Sequence, residues 1–252
     1  MKVLGIIPAR YASSRFPGKP LVMIDGKSMI QRVYEQALKC KELSSVIIAT
    51  DSEVIEKHVR AFQGYVVMTS IHHKSGTERC NEVLEKLGAD QNDSFDIIIN
   101  IQGDEPFFDP HQISELTDCF NIQDVQIATL VRKIKSNEEL SDPNVVKVIF
   151  DKNFKAIYFS RLSIPFYRGK KMDEWLKERP YFKHIGIYSY RTKTLKEIVK
   201  LTMSPLEKAE SLEQLRWIEN GYSIHVRETE FESFAIDTPA DLLKITNTTD
   251  NS

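Results

Sequence analysis

Residues 3–19, VLGIIPARYASSRFPGK, contain the pattern on which the predicted fold depends. Residues 3–7 form an apolar run of the length expected for a buried strand of a parallel sheet. Pro8 is predicted to end this strand, because proline has no N–H for the ladder. The loop that follows combines three cations with two hydroxyls and a glycine: Arg10, Arg15, Lys19, Ser13, Ser14 and Gly18.

This loop predicts an anion site. Ligands of open α/β sheets bind at the carboxyl ends of strands, and cations beside exposed backbone N–H groups suit a phosphate chain. The spacing fits neither the Walker A pattern nor G-x-G-x-x-G, so the standard NTPase and dinucleotide folds are not indicated. A basic surface loop without a ligand is the alternative interpretation.

Composition limits the class of protein. The chain has 252 residues, of which 41% are hydrophobic and 28% charged, with a net charge of −2. Its length is sufficient for one α/β domain with a small lobe, and its charge excludes a globally basic nucleic-acid binder. No apolar run approaches the roughly 20 residues of a membrane span, and the first run is too short for a signal-peptide core. Cys40, Cys80 and Cys119 are too widely spaced for a disulfide framework or structural zinc. We therefore expect a cytoplasmic protein without nucleic-acid or membrane partners.

Short apolar runs alternate with amphipathic stretches in the first half, which predicts a mainly parallel sheet flanked by helices. Strands are predicted at 46–50, 65–67 and 97–101, and helices at 27–40, 53–62 and 77–87. In the second half, strands predicted at 145–150, 156–160 and 185–190 favour antiparallel pairing. Residues 168–183 are predicted to form a mobile insertion or short helix, 204–220 one helix, 240–245 a last helix and 247–252 a disordered tail. Ser204 is the expected cap of the helix at 204–220, and Gly221 is its expected end.

A carboxylate pair, Asp104 and Glu105, follows the predicted strand at 97–101. Such a pair is costly there unless it is solvated, paired or bound to a metal. Since the anion loop ends another strand of the same sheet, and phosphates with Mg²⁺ need a carboxylate, we favour Asp104 as a metal ligand over a simple surface turn. Asp51 also ends a strand, but helix capping is its expected role. Arg79 lies in the first turn of a helix, where a cation opposes the dipole. Unless it only reaches solvent, an anionic ligand is expected there.

For several polar residues of the second half, the sequence alone fits both a functional and a structural role. Arg161 and Arg168 suit an acidic ligand, with exposed arginines as the equal alternative. A lone histidine such as His184 is more often structural than functional. Glu210, Glu213 and Gln214 fit a solvated helix face, and Asp237 fits a cap of the last helix.

Eight motifs between residues 7 and 242 together resemble the 3-deoxy-manno-octulosonate (Kdo) cytidylyltransferase family, also called the CMP-Kdo synthetases. They are IPARYASSRFPGKPL, SGTER, NIQGDEP, DPNVVK, YFSR with IPFYR, HIGIYSY, LEKAESLEQLR and IDTPADL. Glu78 departs from the aspartate that the family usually has in the second motif.

The resemblance implies a single nucleotide-diphospho-sugar transferase-type α/β domain over 1–252, with a small antiparallel lobe. The nucleotide-binding half would be 1–132, and the sugar-binding and dimerisation half 133–252. The implied reaction is CTP + Kdo → CMP-Kdo + diphosphate, for lipopolysaccharide biosynthesis, in a homodimer. A different acid sugar, such as a sialic acid or an amino analogue of Kdo, and a non-catalytic nucleotide-binding homologue are the alternatives.

The resemblance also implies roles for individual residues. Lys19, Asp104 and Asp237 would be catalytic, and the two aspartates would hold Mg²⁺. The nucleotide would be bound by Arg10, Ser13, Arg15, Lys19, Arg79 and Gln102. The sugar would be bound by Arg161, Arg168, His184, Tyr188, Glu213 and Gln214.

Overall fold

The computed structural model describes residues 1–12, 16–88, 95–232, 234–236 and 238–242. Five predictions concern residues wholly or partly outside these ranges: the roles of Ser13, Arg15 and Asp237, the last helix at 240–245 and the disordered tail at 247–252. The chain forms two compact units, one comprising Met1–Ser114 with Glu232–Ser252 and the other Glu115–Phe231. The division into halves at residue 132 stays a prediction.

Strands and helices alternate along most of the described chain. The strands are β1 (Val3–Ala9), β2 (Met23–Ile24), β3 (Lys27–Ser28), β4 (Ser45–Thr50), β5 (Val66–Met68), β6 (Ile97–Asn100), β7 (Ile127–Lys133), β8 (Lys147–Phe150), β9 (Ala156–Ser160), β10 (Phe182–Arg191) and β11 (Ile224–Glu228). The helices are α1 (Met29–Ala37), α2 (Glu53–Ala61), α3 (Gly76–Gly88), α4 (His111–Asp118), α5 (Asn137–Ser141), α6 (Trp175–Glu178), α7 (Thr192–Ile198), α8 (Pro205–Glu210) and α9 (Glu213–Glu219). Within the described ranges, no helix combines the length and the apolar character needed to cross a bilayer.

The first unit contains a parallel sheet in the order β6-β1-β4-β5. The middle strand β1 is in register with both neighbours, so that Gly5 lies opposite Val46 on one side and Ile99 on the other. The apolar runs of β1, β4 and β6 are almost entirely buried, as is typical of parallel strands covered on both faces. The predicted mainly parallel sheet with flanking helices is confirmed.

Pro8 does not end the first strand, contrary to the prediction. It lies within β1, opposite Ala49 of β4. The pairing of β1 with β6 extends only to Ile6. Beyond that point the ladder on the β6 side has ended, so the missing N–H of Pro8 interrupts no bond there.

The second unit is built around β7, which pairs antiparallel with β10 and parallel with β11. Strand β8 pairs antiparallel with both β10 and β9. The predicted antiparallel pairing in this part of the chain is confirmed, whereas β7 and β11 were not predicted. The short helix α6 confirms one of the two alternatives for residues 168–183, and Trp175 at its start is buried against Tyr181 and Leu140.

The single helix predicted at 204–220 is instead two helices, α8 and α9. Ser204 caps the first helix as expected, since its Oγ accepts from Glu207 N–H at 3.4 Å and the Glu207 carboxylate accepts from Ser204 N–H at 3.2 Å. Ser211 then adopts φ 53° and ψ 47°, a left-handed conformation that a helix cannot continue through. Gly221, at φ 83°, ends the second helix as predicted.

Candidate active site

The described ends of the anion loop are held together in the first unit. Gly18 N–H donates to the Tyr11 carbonyl at 2.9 Å. Gly18 has φ 72°, which favours glycine, and it opens a short 3₁₀ turn over Lys19–Leu21. This hydrogen bond and the 3₁₀ turn therefore hold the backbone that carries Lys19. Ser13 and Arg15 lie outside the described residues.

Lys19 and Asp104 meet directly. The Lys19 Nζ atom lies 2.7 Å from Asp104 Oδ2, and the two side chains are 13% and 25% exposed. The Asp104 carbonyl also accepts a hydrogen bond from Ile236 N–H at 2.9 Å. The turn after β6 is therefore bound to the segment that leads to Asp237, which itself lies outside the described residues.

The ends of β1 and β6 and the start of α3 converge beside this pair. A Cβ atom on Gly103 would lie 2.6 Å from the Pro8 carbonyl oxygen, and one on Gly76 would lie 3.1 Å from Asn100 Nδ2. Both glycines thus allow close backbone approach. Gln102 lies in the same turn as Gly103, directly after the strand.

Gly103→Ala should lower kcat/KM for CTP, the nucleotide that the resemblance implies, by about 100-fold, because the new methyl group must displace the turn that carries Asp104. Steady-state kinetics with varied CTP measures the effect. Gly88→Ala is the matched control, since a Cβ at Gly88 would meet no atom of the described residues within 4 Å. Wild-type kinetics for Gly103→Ala would show that the close approach to Pro8 does not position Asp104.

Arg79 is fully buried and is paired with Asp51. Its Nη2 lies 2.6 Å from Asp51 Oδ2, and its Nη1 donates to the Thr69 hydroxyl. The expectation that Asp51 caps a helix is wrong: Ser52 is the cap of α2, and its Oγ accepts from Ile55 N–H at 3.5 Å. Within the described residues, Asp51 therefore supplies a negative charge to Arg79, and the predicted contact of Arg79 with an anionic ligand stays a prediction.

Arg10 carries a second positive charge close to Arg79. Burial lowers its pKa, the charge of Arg79 lowers it further, and Asp51 and Glu78 oppose this shift. Its Nη2 donates to the His73 carbonyl at 2.5 Å. A lowered pKa means that the guanidinium ion is less well solvated here than in water, and a bound anion would relieve this cost.

In the second unit, a β-bulge brings His184 and Tyr188 together. His184 lies opposite Val131 and Tyr188 opposite Thr129, with a register shift between Ile185 and Tyr188. Four residues of regular strand would span about 13 Å, yet the two ring centroids lie 5.1 Å apart. The bulge thus places both predicted sugar-binding rings in one cluster.

Three buried polar atoms of this region lack hydrogen-bond partners among the described residues: the Tyr188 hydroxyl, Gln214 Nε2 and Trp217 Nε1. Tyr188 and Gln214 are a pair of predicted sugar-binding residues, and they are only 7% and 5% exposed. Burial raises the pKa of Tyr188 well above its usual value, and the negative charge of Glu213 raises it further. Because buried polar groups are almost always satisfied in folded proteins, this pair indicates a place for a polar ligand.

Burial lowers the pKa of His184 from 6.5 to about 3. Between these values the unfolded chain binds a proton at this residue and the folded chain does not. The contribution to the free energy of unfolding is therefore complete above pH 6.5 and is lost as the pH falls toward 3. Between about pH 7 and about pH 5, wild type should lose about 2 kcal/mol more than His184→Gln.

Urea unfolding at both pH values measures this difference. His72→Gln, at an exposed histidine, serves as the control and should follow wild type. Parallel pH dependence of wild type and His184→Gln would contradict the burial of a neutral ring.

The two predicted arginines of the sugar site lie in different surroundings. Arg161 is committed to backbone carbonyls: its Nε donates to Glu210 O at 2.7 Å and its Nη1 to Pro143 O at 3.0 Å. The Glu210 carboxylate in turn accepts from Arg161 N–H at 2.9 Å and from the Ser160 hydroxyl at 2.7 Å. Arg168 is exposed. Within the described part of the chain, no hydrogen bond or ion pair joins it to Arg161 or to the other predicted sugar residues.

Glu210 and Asp51 are the residues whose roles sequence reasoning missed. Glu210 was seen only as part of a helix face, yet it holds the Ser160–Arg161 backbone. The only sequence feature that could have indicated the role of Glu210 is its position as a carboxylate at the end of a capped helix. Asp51 carried a clearer signal, since it follows a buried strand as Asp104 does.

The described residues include no group of three His, Cys, Asp or Glu side chains arranged to hold a metal ion. Asp104 nevertheless fits half of the predicted Mg²⁺ site. It is a partly exposed carboxylate, and within the described chain only Oδ2 is engaged, by Lys19. Mg²⁺ is usually bound by one or two carboxylates together with substrate phosphates, so Asp104 Oδ1 is the oxygen that would accept the ion.

The sequence profile of the family described as cytidylyltransferase matches residues 4–228. The chain is 55% identical to the 3-deoxy-manno-octulosonate cytidylyltransferase of Parabacteroides distasonis, over 97% of this chain and 96% of the relative. It is also 55% identical to the enzyme of that name from Bacteroides thetaiotaomicron, over 96% of each chain. A solved structure of CMP:2-keto-3-deoxy-manno-octonic acid synthetase complexed with CTP matches with a TM-score of 0.90 and 40% identity, covering 100% of this chain and 99% of the other. The motifs that resemble this family lie at the ends of the predicted strands, and the matches cover nearly the whole chain. The chain therefore belongs to the 3-deoxy-manno-octulosonate cytidylyltransferase family.

Proposed function

We propose that this protein transfers the cytidylyl group of CTP to Kdo, forming CMP-Kdo and diphosphate for lipopolysaccharide biosynthesis in the cytoplasm. The observation that carries a polyol acceptor is the pair of buried polar atoms without partners among the described residues, Tyr188 Oη and Gln214 Nε2. A polyol supplies the hydroxyl groups that such atoms require. Both residues lie in motifs that resemble those of the Kdo enzymes.

CTP binds to the first unit in this proposal. The triphosphate is neutralised by Arg10, Arg15 and Lys19, since cations placed at the end of a strand suit a phosphate chain. Ser13, Arg79 and Gln102 are further proposed contacts to the nucleotide. The like charges of Arg10 and Arg79, which lower the pKa of Arg10, support an anionic ligand.

Asp104 and Asp237 would hold Mg²⁺ in the loaded enzyme. The hydrogen bond from Ile236 N–H to the Asp104 carbonyl supports this pairing, because it brings the chain next to Asp237 to the same turn. When bound, the ion supplies charge neutralisation at the reacting phosphate and lowers the pKa of the attacking hydroxyl. Lys19, already at Asp104, would orient the phosphates of the same complex.

The anomeric hydroxyl of Kdo attacks the α-phosphorus in line, and diphosphate leaves. The chain needs no covalent intermediate for this step, so its residues act by positioning and by electrostatic stabilisation. In the second unit, Tyr188, Gln214 and Glu213 would bind sugar hydroxyls beside His184. Arg161 and Arg168 would attract the sugar carboxylate, although two donors of Arg161 are already used on carbonyl oxygens.

The test is release of diphosphate with CTP and Mg²⁺, with Kdo, 8-amino-Kdo and N-acetylneuraminate compared as acceptors. We expect turnover with Kdo and at most weak turnover with the others. Release only with another acid sugar would keep the reaction and overturn the Kdo assignment. CTP binding without release with any acceptor would overturn the proposed enzyme activity.

We also propose that the active form is a homodimer. The second unit exposes large apolar side chains at Phe154, Ile157, Leu162 and Phe166, each at least 50% exposed. Such side chains are consistent with coverage by a second copy. Sedimentation equilibrium of the full chain at micromolar concentration tests this, and a monomer throughout would contradict it.

A further inference from the structure

We propose that Thr129 is a positioning residue that holds the imidazole of His184 in the Nε2–H tautomer, so that Nδ1 is presented to the sugar as a hydrogen-bond acceptor. This inference rests on the proposed function for the identity of the sugar. The tautomer itself is a property of the free protein.

Thr129 lies inside the bulge of β10. Its Oγ1 is 2.8 Å from the Ile187 carbonyl oxygen, 3.1 Å from the Ile185 carbonyl oxygen and 3.0 Å from His184 Nε2. Thr129 is fully buried. Because the register shift falls between Ile185 and Tyr188, the carbonyl oxygens of Ile185 and Ile187 both face the Thr129 hydroxyl, which donates to one of them at a time.

The chemistry of these three neighbours determines the proton positions. A hydroxyl has one proton to donate, and carbonyl oxygens can only accept. If the Thr129 proton pointed to His184, two buried carbonyl oxygens would face the hydroxyl oxygen without a proton between them. Such unsatisfied contacts are costly. The proton therefore lies toward a carbonyl, most closely that of Ile187, and Oγ1 accepts from Nε2–H.

The remaining nitrogen of His184 is then a bare acceptor. Nδ1 forms no hydrogen bond with the described part of the chain. The ring is further fixed by Phe159, whose centroid lies 5.2 Å away in an edge arrangement, and by Tyr188 at 5.1 Å. A neutral histidine held in this way accepts from a sugar hydroxyl and does not donate to it. The Thr129 hydroxyl thus holds both the bulge of β10 and the tautomer of His184, and the tautomer makes His184 the acceptor in its hydrogen bond with the sugar.

The direct test is ¹⁵N NMR of the histidine rings in the free protein, with His184 assigned by comparison with His184→Gln. We expect a protonated Nε2 and an unprotonated Nδ1 in wild type. Addition of Kdo should shift the Nδ1 resonance as expected for an accepted hydrogen bond. A protonated Nδ1 in the wild-type spectrum would overturn the proposal, whether or not the protein makes CMP-Kdo.

Two variants separate positioning from packing. Thr129→Val keeps the shape but removes the hydroxyl, so we expect mixed tautomers and an increase of about 2- to 12-fold in KM for Kdo, with KM for CTP unchanged. Thr129→Ser keeps the hydroxyl and should restore the wild-type tautomer and KM. Equal KM increases for both variants, with the wild-type tautomer in Thr129→Val, would show that packing around residue 129 sets KM and not the hold of the hydroxyl on the ring, and would overturn the proposal. If Thr129→Val does not fold, the wild-type spectrum and Thr129→Ser still decide the question.

Discussion

Asp104→Asn should lower kcat by about 10³-fold or more, equivalent to about 4 kcal/mol. Asparagine keeps the size of the side chain but removes the charge that pairs with Lys19 at 2.7 Å and that would hold Mg²⁺. The fold should persist, because this ion pair is partly exposed and contributes about 1 kcal/mol or less to stability. Asp237→Asn should have a similar effect on kcat.

Diphosphate release at saturating CTP and Kdo measures the change in kcat, and paramagnetic resonance of Mn²⁺ with CTP measures metal affinity separately. Asp109→Asn is a matched control. Asp109 accepts from His111 N–H at 2.9 Å, a role that asparagine can also perform. Near-wild-type turnover and Mn²⁺ affinity in Asp104→Asn would refute the assignment of Asp104.

The parallel half of the fold was readable from sequence because its strands are buried on both faces. Such strands form short continuous apolar runs, and β4 and β6 follow this pattern over nearly their whole length. The error at Pro8 shows the limit of local rules. Whether a proline breaks a ladder depends on where the neighbouring strand stops, and β6 stops pairing at Ile6.

The break between α8 and α9 was hidden for a different reason. Ser211 adopts a left-handed conformation that glycine or asparagine would have signalled and serine does not. The contacts that hold this conformation are tertiary: the Glu210 carboxylate binds Ser160 and the backbone of Arg161, about 50 residues earlier. No local pattern encodes such a contact.

The site residues divide in the same way, into those that local sequence patterns predict and those whose contacts depend on the tertiary fold. Motif order predicts site roles for Asp104, Lys19, Tyr188 and Gln214, and these roles stay predictions, while the structure shows the surroundings of each side chain. Pairings across long stretches, such as Arg79 with Asp51 or Thr129 with His184, depend on strands lying side by side. Sequence order alone does not contain that information.

Arg216→Met should lower the free energy of unfolding by about 3–5 kcal/mol, because it leaves a buried carboxylate without its partner. Arg216 joins α9 to α8 through Nε and Nη2, which lie 2.6 Å and 2.5 Å from the two carboxylate oxygens of Glu207. The two side chains are only 10% and 8% exposed. Nη1 also donates to the Leu201 carbonyl at 3.0 Å.

Urea unfolding followed by circular dichroism measures the loss, which corresponds to a decrease in Tm of about 6 to 20 °C. Arg60→Met is the matched control, since Arg60 makes the same kind of pair with Glu56 but is 64% exposed and should change stability by about 0.5 kcal/mol or less. The double variant Glu207→Leu/Arg216→Met should recover much of the loss, because it removes the buried charge as well as its partner. If Arg216→Met were no more destabilising than Arg60→Met, the α8–α9 junction would depend on apolar packing of Leu212 and Leu215 rather than on the ion pair. The orientation of Glu213 and Gln214 at the start of α9 would then be independent of Arg216.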